Sequence, residues 1–209
     1  MVKELDSTMC LICNKARIKA LEIQDMKLAK SVRYSFGRKM LRKEIDAVRL
    51  RKGYNFNSAQ SIGILYKDSD ESFYKAIKEY ATFLKTSFEV KTVKALGYID
   101  ELPKKIPTYQ QHALEFEYFS KEDVNWFGKP VQGIESFINE DFHILLDFSG
   151  GSELPLNYVL KESRACMKVG VKGTMGERYC DLIIDMGQVT GIDKFVAQLN
   201  QYLSNSKIR

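Results

Sequence analysis

The hydrophobic positions of residues 15–52 follow a helical period that shifts at Gly37. On a helical wheel of about 100° per residue, one arc holds Ile18, Leu21, Leu28, Ala29, Val32, Phe36 and Met40. The opposite side holds Leu41, Ile45 and Val48. Glycine is unfavourable inside a helix by about 1 kcal/mol. The pattern therefore predicts either two helices, 15–34 and 38–52, with different faces towards the body, or one bent helix.

From Ser61 the hydrophobic pattern becomes that of a strand followed by a helix. Residues 61–66 are a short apolar run of strand length. Asp68 and Glu71 have the spacing of a capping box. Helical spacing then follows at Phe73, Ile77, Tyr80 and Leu84.

The same alternation continues to the end of the chain. Further strands are predicted at 90–97, 114–119, 142–148, 167–171 and 181–185, and helices at about 153–165 and from Ile192 to Leu203. Ser120 and Asp123 form a candidate cap pair for a short helix. Strand 142–148 is the most apolar segment, as expected at the centre of a parallel sheet. We therefore predict a three-layer α/β fold, Rossmann-like or flavodoxin-like, with a mainly parallel sheet in residues 55–209 and a basic helical extension in residues 1–54.

Charge separates these two parts of the chain. Residues 15–52 contain thirteen Lys and Arg against four Asp and Glu, whereas the whole chain has a net charge of +5. No apolar run approaches the roughly 20 residues of a membrane span, so we expect a cytoplasmic protein without a transmembrane segment. In that compartment the four cysteines are expected to be free thiols.

The basic segment has three interpretations. Its charges form the solvated face of helices packed on the body, or they bind nucleic acid, or they lie on an anionic membrane. We favour the first, because only Tyr34 and Phe36 could offer stacking surfaces to bases. The candidate nucleic-acid contacts are Lys27, Lys30, Arg33, Arg38 and Arg42.

Several runs of the sequence resemble a known family. They are SIGILYKDSDESFYKAIKEYATFL, VKALGYID, LLDFSGGSELPLNYVLKESRACMKVG and YCDLIID, after a basic helical leader. Together they resemble a family of uncharacterised proteins of the Bacteroidota, which carries a domain-of-unknown-function label. The resemblance implies an intracellular α/β protein and assigns no catalytic residue.

A candidate ligand site follows the apolar strand 142–148. Ligands of open α/β sheets bind at the carboxyl ends of the strands, where this chain has Ser149, Gly150, Gly151 and Ser152. Their amides and the next helix N-terminus could hold an anion, with Lys172 and Thr174 covering it. Asp147 would repel a phosphate, and an ordinary glycine-containing turn is the alternative that we favour.

No catalytic or metal constellation is visible. Cys10 and Cys13 have the spacing of half a zinc site or of a redox pair, but a chance spacing is the interpretation that we favour. His143 is expected to be a satisfied core histidine, and His112 lacks an evident nucleophile partner. Asp181 and Asp185 lie at opposite ends of one strand and cannot share a metal.

These observations favour a non-catalytic binding or interaction protein whose partner is another protein or a small phosphorylated ligand. One alternative is an enzyme or sensor that holds a nucleotide or another phosphorylated molecule at the strand ends. A second alternative is an accessory nucleic-acid binder that uses the basic helices. The sequence indicates no cofactor.

Overall fold

The computed structural model describes residues 31–102, 107, 109, 115–151, 153–187 and 191–205. Cys10, Cys13, Lys27, Lys30, His112 and Ser152 lie outside the described residues. The helices are α1 (residues 31–43), α2 (Glu71–Phe88), α3 (Glu135–Ile138), α4 (Leu154–Glu162) and α5 (Ile192–Asn205). The strands are β1 (Ser61–Lys67), β2 (Thr92–Ile99), β3 (Phe116–Ser120), β4 (Ile144–Asp147), β5 (Met167–Val171) and β6 (Leu182–Ile184).

The six strands form one sheet in the order β3-β2-β1-β4-β5-β6, and every neighbouring pair is parallel. At its centre, Ile64 of β1 is aligned with Ala95 of β2 and with Leu146 of β4. All four residues of β4 are buried, because helices cover both faces of the sheet. The predicted α/β class and parallel sheet are confirmed.

Helices α2 and α5 pack on one face of the sheet, and α3 and α4 pack on the other. Local signals set their ends. Ser120 and Asp123 form the predicted cap pair, here on the 3-10 turn Lys121–Asp123. The predicted start of α2 at Asp68 is wrong: Asp70 is the N-cap, and its side chain accepts from the Phe73 amide.

Helix α1 runs without interruption through Gly37, so the first predicted alternative, two helices that meet near residues 35–37, is wrong. Gly37 is instead a point of close approach, because a Cβ there would overlap the carbonyl oxygen of Phe127 and the side chain of Leu154. The Gly37 carbonyl also accepts a hydrogen bond of 2.8 Å from the Tyr158 hydroxyl. The α1 face that packs on α4 therefore includes Gly37 and the buried Leu41. Val32 and Phe36, placed on the buried face by the wheel, are 62% and 40% exposed.

The helix predicted for 38–52 ends at residue 43, and residues 45–53 have no regular secondary structure. This 45–53 segment crosses the amino edge of the sheet, where the Lys52 amide donates to the Cys166 carbonyl. Arg49 donates there to the Ala165 and Cys166 carbonyls. These long-range hydrogen bonds replace the local hydrogen bonds of a helix. The hydrophobic periodicity of the segment carries no signal of partners so far along the chain.

Candidate functional site

The strand order places the carboxyl ends of β1 and β4 side by side at the centre of the sheet, where the chain connections diverge. In doubly wound α/β folds a ligand crevice opens at this point. A cavity of about 400 Å³ lies beside it, beyond the ends of β4, β5 and β6. Below we call it the carboxyl-edge cavity.

Two kinds of side chain line the carboxyl-edge cavity. The apolar ones come from α2, β4, β5, β6 and α5: Phe73, Phe148, Val171, Met186, Ile192 and Phe195. The polar ones are Asp147, Ser149, Lys172 and Thr174. Pockets of 300–1,000 Å³ with an apolar lining and a few placed polar groups are typical of small-molecule sites.

The turn after β4 satisfies its own polar groups. The Ser149 amide and hydroxyl both donate to Asp147 Oδ1, at 2.9 and 2.5 Å, and the Gly151 amide donates to the Ser149 hydroxyl at 3.1 Å. Gly150 and Gly151 both have positive φ, 62° and 64°, which favours glycine. Two of the amides that the sequence assigns to an anion are therefore engaged within the turn, with the Asp147 carboxyl as acceptor.

Asp147 is the buried ionisable group that lines the carboxyl-edge cavity. It is 2% exposed, and burial raises its pKa, although the hydrogen bonds from Ser149 oppose that rise. A carboxyl with a raised pKa in a cleft is a common mark of a functional site.

Asn157 of α4 supports the turn from below. Its amide nitrogen donates to the Gly151 and Glu153 carbonyls at 3.1 and 2.8 Å, which fixes the orientation of the side chain. Its buried Oδ1 has no hydrogen-bond partner among the described residues. Asn157 Oδ1 and Asp147 Oδ2 both face Gly176, where a Cβ would lie about 3 Å from each of these oxygens.

The structure brings four of the six predicted ligand residues to one cavity: Ser149, Gly150, Lys172 and Thr174. The Thr174 side chain lies against Gly151, so closely that a Cβ at Gly151 would overlap it. Lys172 forms an exposed ion pair of 2.7 Å with Asp185, which lowers the pKa of Asp185. Sequence reasoning missed the apolar lining, since Phe73, Met186 and Phe195 carry no motif.

The predicted nucleic-acid contacts that the structure describes are spread over α1. Arg38 and Arg42 are exposed, and Arg33 is half-buried. Phe36 stacks on the exposed Trp126, with ring centroids 5.0 Å apart. Nucleic-acid binding by these residues stays a prediction.

His143 is hydrogen-bonded as predicted, but it is half-buried and precedes β4, so it is not a core histidine. Its Nδ1 accepts from the Gln60 amide at 3.0 Å, and its ring packs on Tyr54. Burial, with the charge of Lys52, lowers its pKa, so the ring is neutral at pH 7. Within the described ranges, no group of three His, Cys, Asp or Glu side chains could hold a metal ion.

None of the described helices is long and apolar enough to cross a membrane.

Comparisons with known proteins assign the chain to a family. No curated protein and no solved structure matches the chain. A family model, described as a family of unknown function (DUF6913), matches residues 33–205, which include the sheet, its helices and most of α1. The chain therefore belongs to this family of unknown function, DUF6913.

Proposed function

We propose that the protein binds a small organic molecule in the carboxyl-edge cavity. The observation that carries the proposal is the combination of about 400 Å³ of space, six apolar side chains and one buried carboxyl at the ends of β4, β5 and β6. Ligands of doubly wound sheets bind at this edge.

The lining favours a particular ligand chemistry. Phe73, Phe148 and Phe195 approach from three different elements, and they suit a flat or bulky apolar body. Asp147 and Ser149 offer hydrogen bonds at the inner end. A hydroxyl or amino group suits this end better than a phosphate, because the amides of Ser149 and Gly151 already serve the turn. Nucleosides and similar ring compounds with hydroxyl groups have this combination.

Binding is favoured over catalysis by the chemistry of the lining. The described residues around the cavity include no histidine or cysteine. Asp147 is buried without a titratable partner in the turn, and its hydrogen bonds hold the turn together. A carboxyl in this setting selects a ligand by hydrogen bonding.

Native mass spectrometry of the purified protein tests the proposal first, since a retained ligand adds its own mass. A thermal-shift panel of nucleosides, nucleotides, sugar phosphates and flavins then tests binding. A ligand at 100 times its Kd stabilises the fold by about 2.7 kcal/mol, which is several degrees of Tm for a chain of this size.

A pair of variants locates the site. Val171→Trp fills the cavity from the end of β5, whereas Val131→Trp places the same side chain at an exposed position. We expect the first variant to lose binding and the second to keep it. A panel in which no compound raises the Tm, or an unchanged shift in Val171→Trp, would contradict the proposal.

A further inference from the structure

A second cavity lies at the opposite, amino edge of the sheet. It encloses about 80 Å³ between the 45–53 segment, the end of α4 and residues 178–181. We call it the cationic cleft, because its lining contains five basic residues, Arg49, Arg51, Lys161, Lys168 and Arg178, and only two acidic ones, Asp46 and Asp181.

Two of these cations are buried at helix ends. The Lys161 ammonium donates to the Leu41 and Glu44 carbonyls at the end of α1, at 2.9 and 2.6 Å. The Lys168 ammonium donates to the Leu160 and Lys161 carbonyls at the end of α4, at 2.6 and 3.1 Å. The carbonyls at helix C-termini accept hydrogen bonds from the lysine ammonium groups, but they carry only partial negative charge. The positive charge of the two lysines is therefore only partly balanced by these bonds.

The carboxylates of the cleft are also engaged. Asp181 accepts two hydrogen bonds of 2.8 Å from Arg49 in a bidentate pair. Asp46 is 3.3 Å from the Lys161 ammonium. Both acids are thus paired with cations inside the cleft, and an excess of positive charge remains even when Lys168 is uncharged.

Two arginines remain available to a ligand. The Arg51 side chain is 70% exposed, and its Nε lies 4.0 Å from Asp181 Oδ1, at the limit of an ion pair. Arg178 is also exposed, and it makes no hydrogen bond or ion pair within the part of the chain that the structure describes. Guanidinium groups bind phosphate and sulfate oxygens in a bidentate manner.

The charge excess also affects Lys168. Burial, followed by the positive charge of Arg49, lowers the pKa of Lys168 to about 7. Burial alone disfavours the charged form of any group, so only the contribution of Arg49 reflects the positive charge in the cleft.

We propose that the cationic cleft binds the phosphate or sulfate group of a small molecule, with Arg51 and Arg178 as its direct contacts. A single ordered water needs about 10–15 Å³ of such space, so the cleft has room for one tetrahedral anion. This site is independent of the carboxyl-edge cavity, from which the sheet separates it.

Isothermal titration of the full-length protein with inorganic phosphate, at constant ionic strength, tests the proposal. A binding isotherm avoids the general stabilisation that phosphate and sulfate exert on folded proteins. Arg178→Ala and Arg51→Ala each remove one contact. Arg164→Ala is the matched control, because Arg164 is exposed after α4 and does not line the cleft. Circular dichroism and the Tm without phosphate show that each variant is folded.

We expect saturable binding of phosphate to the wild type, a loss of at least tenfold in affinity in each cleft variant, and a change within twofold in Arg164→Ala. Adenosine monophosphate, sulfate and inorganic phosphate then identify the source of the group. Tighter binding of the monophosphate indicates an organic phosphate, and equal binding of the three indicates a free anion.

Three results would overturn the site. One is the absence of saturable binding to the wild type. Another is an equal loss in Arg178→Ala and Arg164→Ala, which indicates general charge attraction. The third is a protein that binds a single-stranded RNA but neither phosphate nor sulfate, with an RNA affinity that Arg178→Ala leaves unchanged. That result indicates a dispersed basic surface on α1.

Discussion

The carboxyl and amino edges of the sheet both bury ionisable groups, among them Asp147 and Lys168, but they surround these two with different neighbours. Asp147 lines a cavity with a mainly apolar lining and accepts from a serine amide and hydroxyl. Lys168 lies in a small cleft among other cations and donates to helix carbonyls. In both places burial shifts the pKa towards the uncharged form. The neighbours therefore distinguish the two sites: one suits a hydrogen-bonding ring compound, and the other an anion.

The largest loss of stability is expected from Gly37→Ala, which separates α1 from the body. Glycine to alanine inside a helix normally stabilises it by about 1 kcal/mol. At Gly37 the new Cβ would overlap the backbone of Phe127, so we expect a loss of about 3 kcal/mol, the cost of overpacking. Phosphate binding should be lost as well, because α1 supplies carbonyl partners to Lys161. Thermal unfolding and titration measure both effects.

The control for this variant is Ser35→Ala, at an exposed position of the same helix. It should change the stability by less than 0.5 kcal/mol, as is usual for surface substitutions. An equal or higher Tm in Gly37→Ala would show that α1 does not need its close contact with Phe127.

A smaller loss is expected from Arg49→Ala at the amino edge. The Arg49 side chain is 6% exposed. Its removal deletes the bidentate pair with Asp181 and the hydrogen bonds to the Ala165 and Cys166 carbonyls, which costs about 2 kcal/mol. Burial raises the pKa of Asp181, but the hydrogen bonds from Arg49 and from the Lys168 amide together lower it by more. The net pKa of Asp181 is therefore below the usual range. The contribution of the pair is therefore present above the unfolded pKa and is lost as the pH falls through the folded pKa.

Urea unfolding at pH 7 and pH 3 checks this dependence. The difference between the wild type and Arg49→Ala should shrink at pH 3. Arg51→Ala, which removes an exposed arginine from the same segment, should cost less than 0.5 kcal/mol at either pH. A pH-independent penalty in Arg49→Ala would instead assign its effect to packing.

A gain is expected at the carboxyl edge from Asp147→Asn. The folded-state pKa of Asp147 is raised, so the wild type loses stability as the pH rises above the unfolded value near 4. Asparagine removes this titration, keeps an acceptor for Ser149 and supplies a donor beside Asn157 Oδ1. We expect about 1 kcal/mol of added stability at pH 7 and a smaller gain at pH 4.

Unfolding by urea at both pH values measures the gain, and Glu122→Gln serves as a control carboxyl at an exposed position of the same edge. A loss of stability in Asp147→Asn at pH 7 would show that the ionised carboxyl is the stabilising form. The comparison between the two buried groups would then fail.

The last test concerns the pH dependence of stability in Lys168→Met. The pKa of Lys168 is about 7 in the folded protein and about 10.4 in the unfolded chain. Between these values the unfolded state binds more protons, so Lys168 makes stability rise with pH. The methionine variant should show a flatter profile between pH 7 and pH 9.5, measured by urea unfolding. An unchanged slope would place the titration on another group.

Local signals predicted the fold well. Strand β5 occupies its predicted range, the Ser120–Asp123 cap forms, and the apolar run 142–148 contains the central strand β4. These features depend on neighbours within a few residues. Gly37 was misassigned because its role depends on Phe127 and Leu154, far along the chain.

The two candidate sites were predictable to different degrees. The turn after β4 was located from its glycines and the end of an apolar strand, and four predicted residues do line one cavity. The cationic cleft was not predicted, because its cations come from four separate segments. One signal was present: Lys168 interrupts the apolar strand β5, and a buried lysine needs partners.

The docking of α1 has a consequence for how the chain is assembled during synthesis. Its bonds to Tyr158 and Lys161 join residues about 120 positions apart. At about 5–20 residues per second, a ribosome needs roughly 6–24 s to add that length. Helix α1 is therefore synthesised before α4 and lacks its apolar partners until α4 has been made. A chaperone that captures nascent chains has that interval in which to bind it.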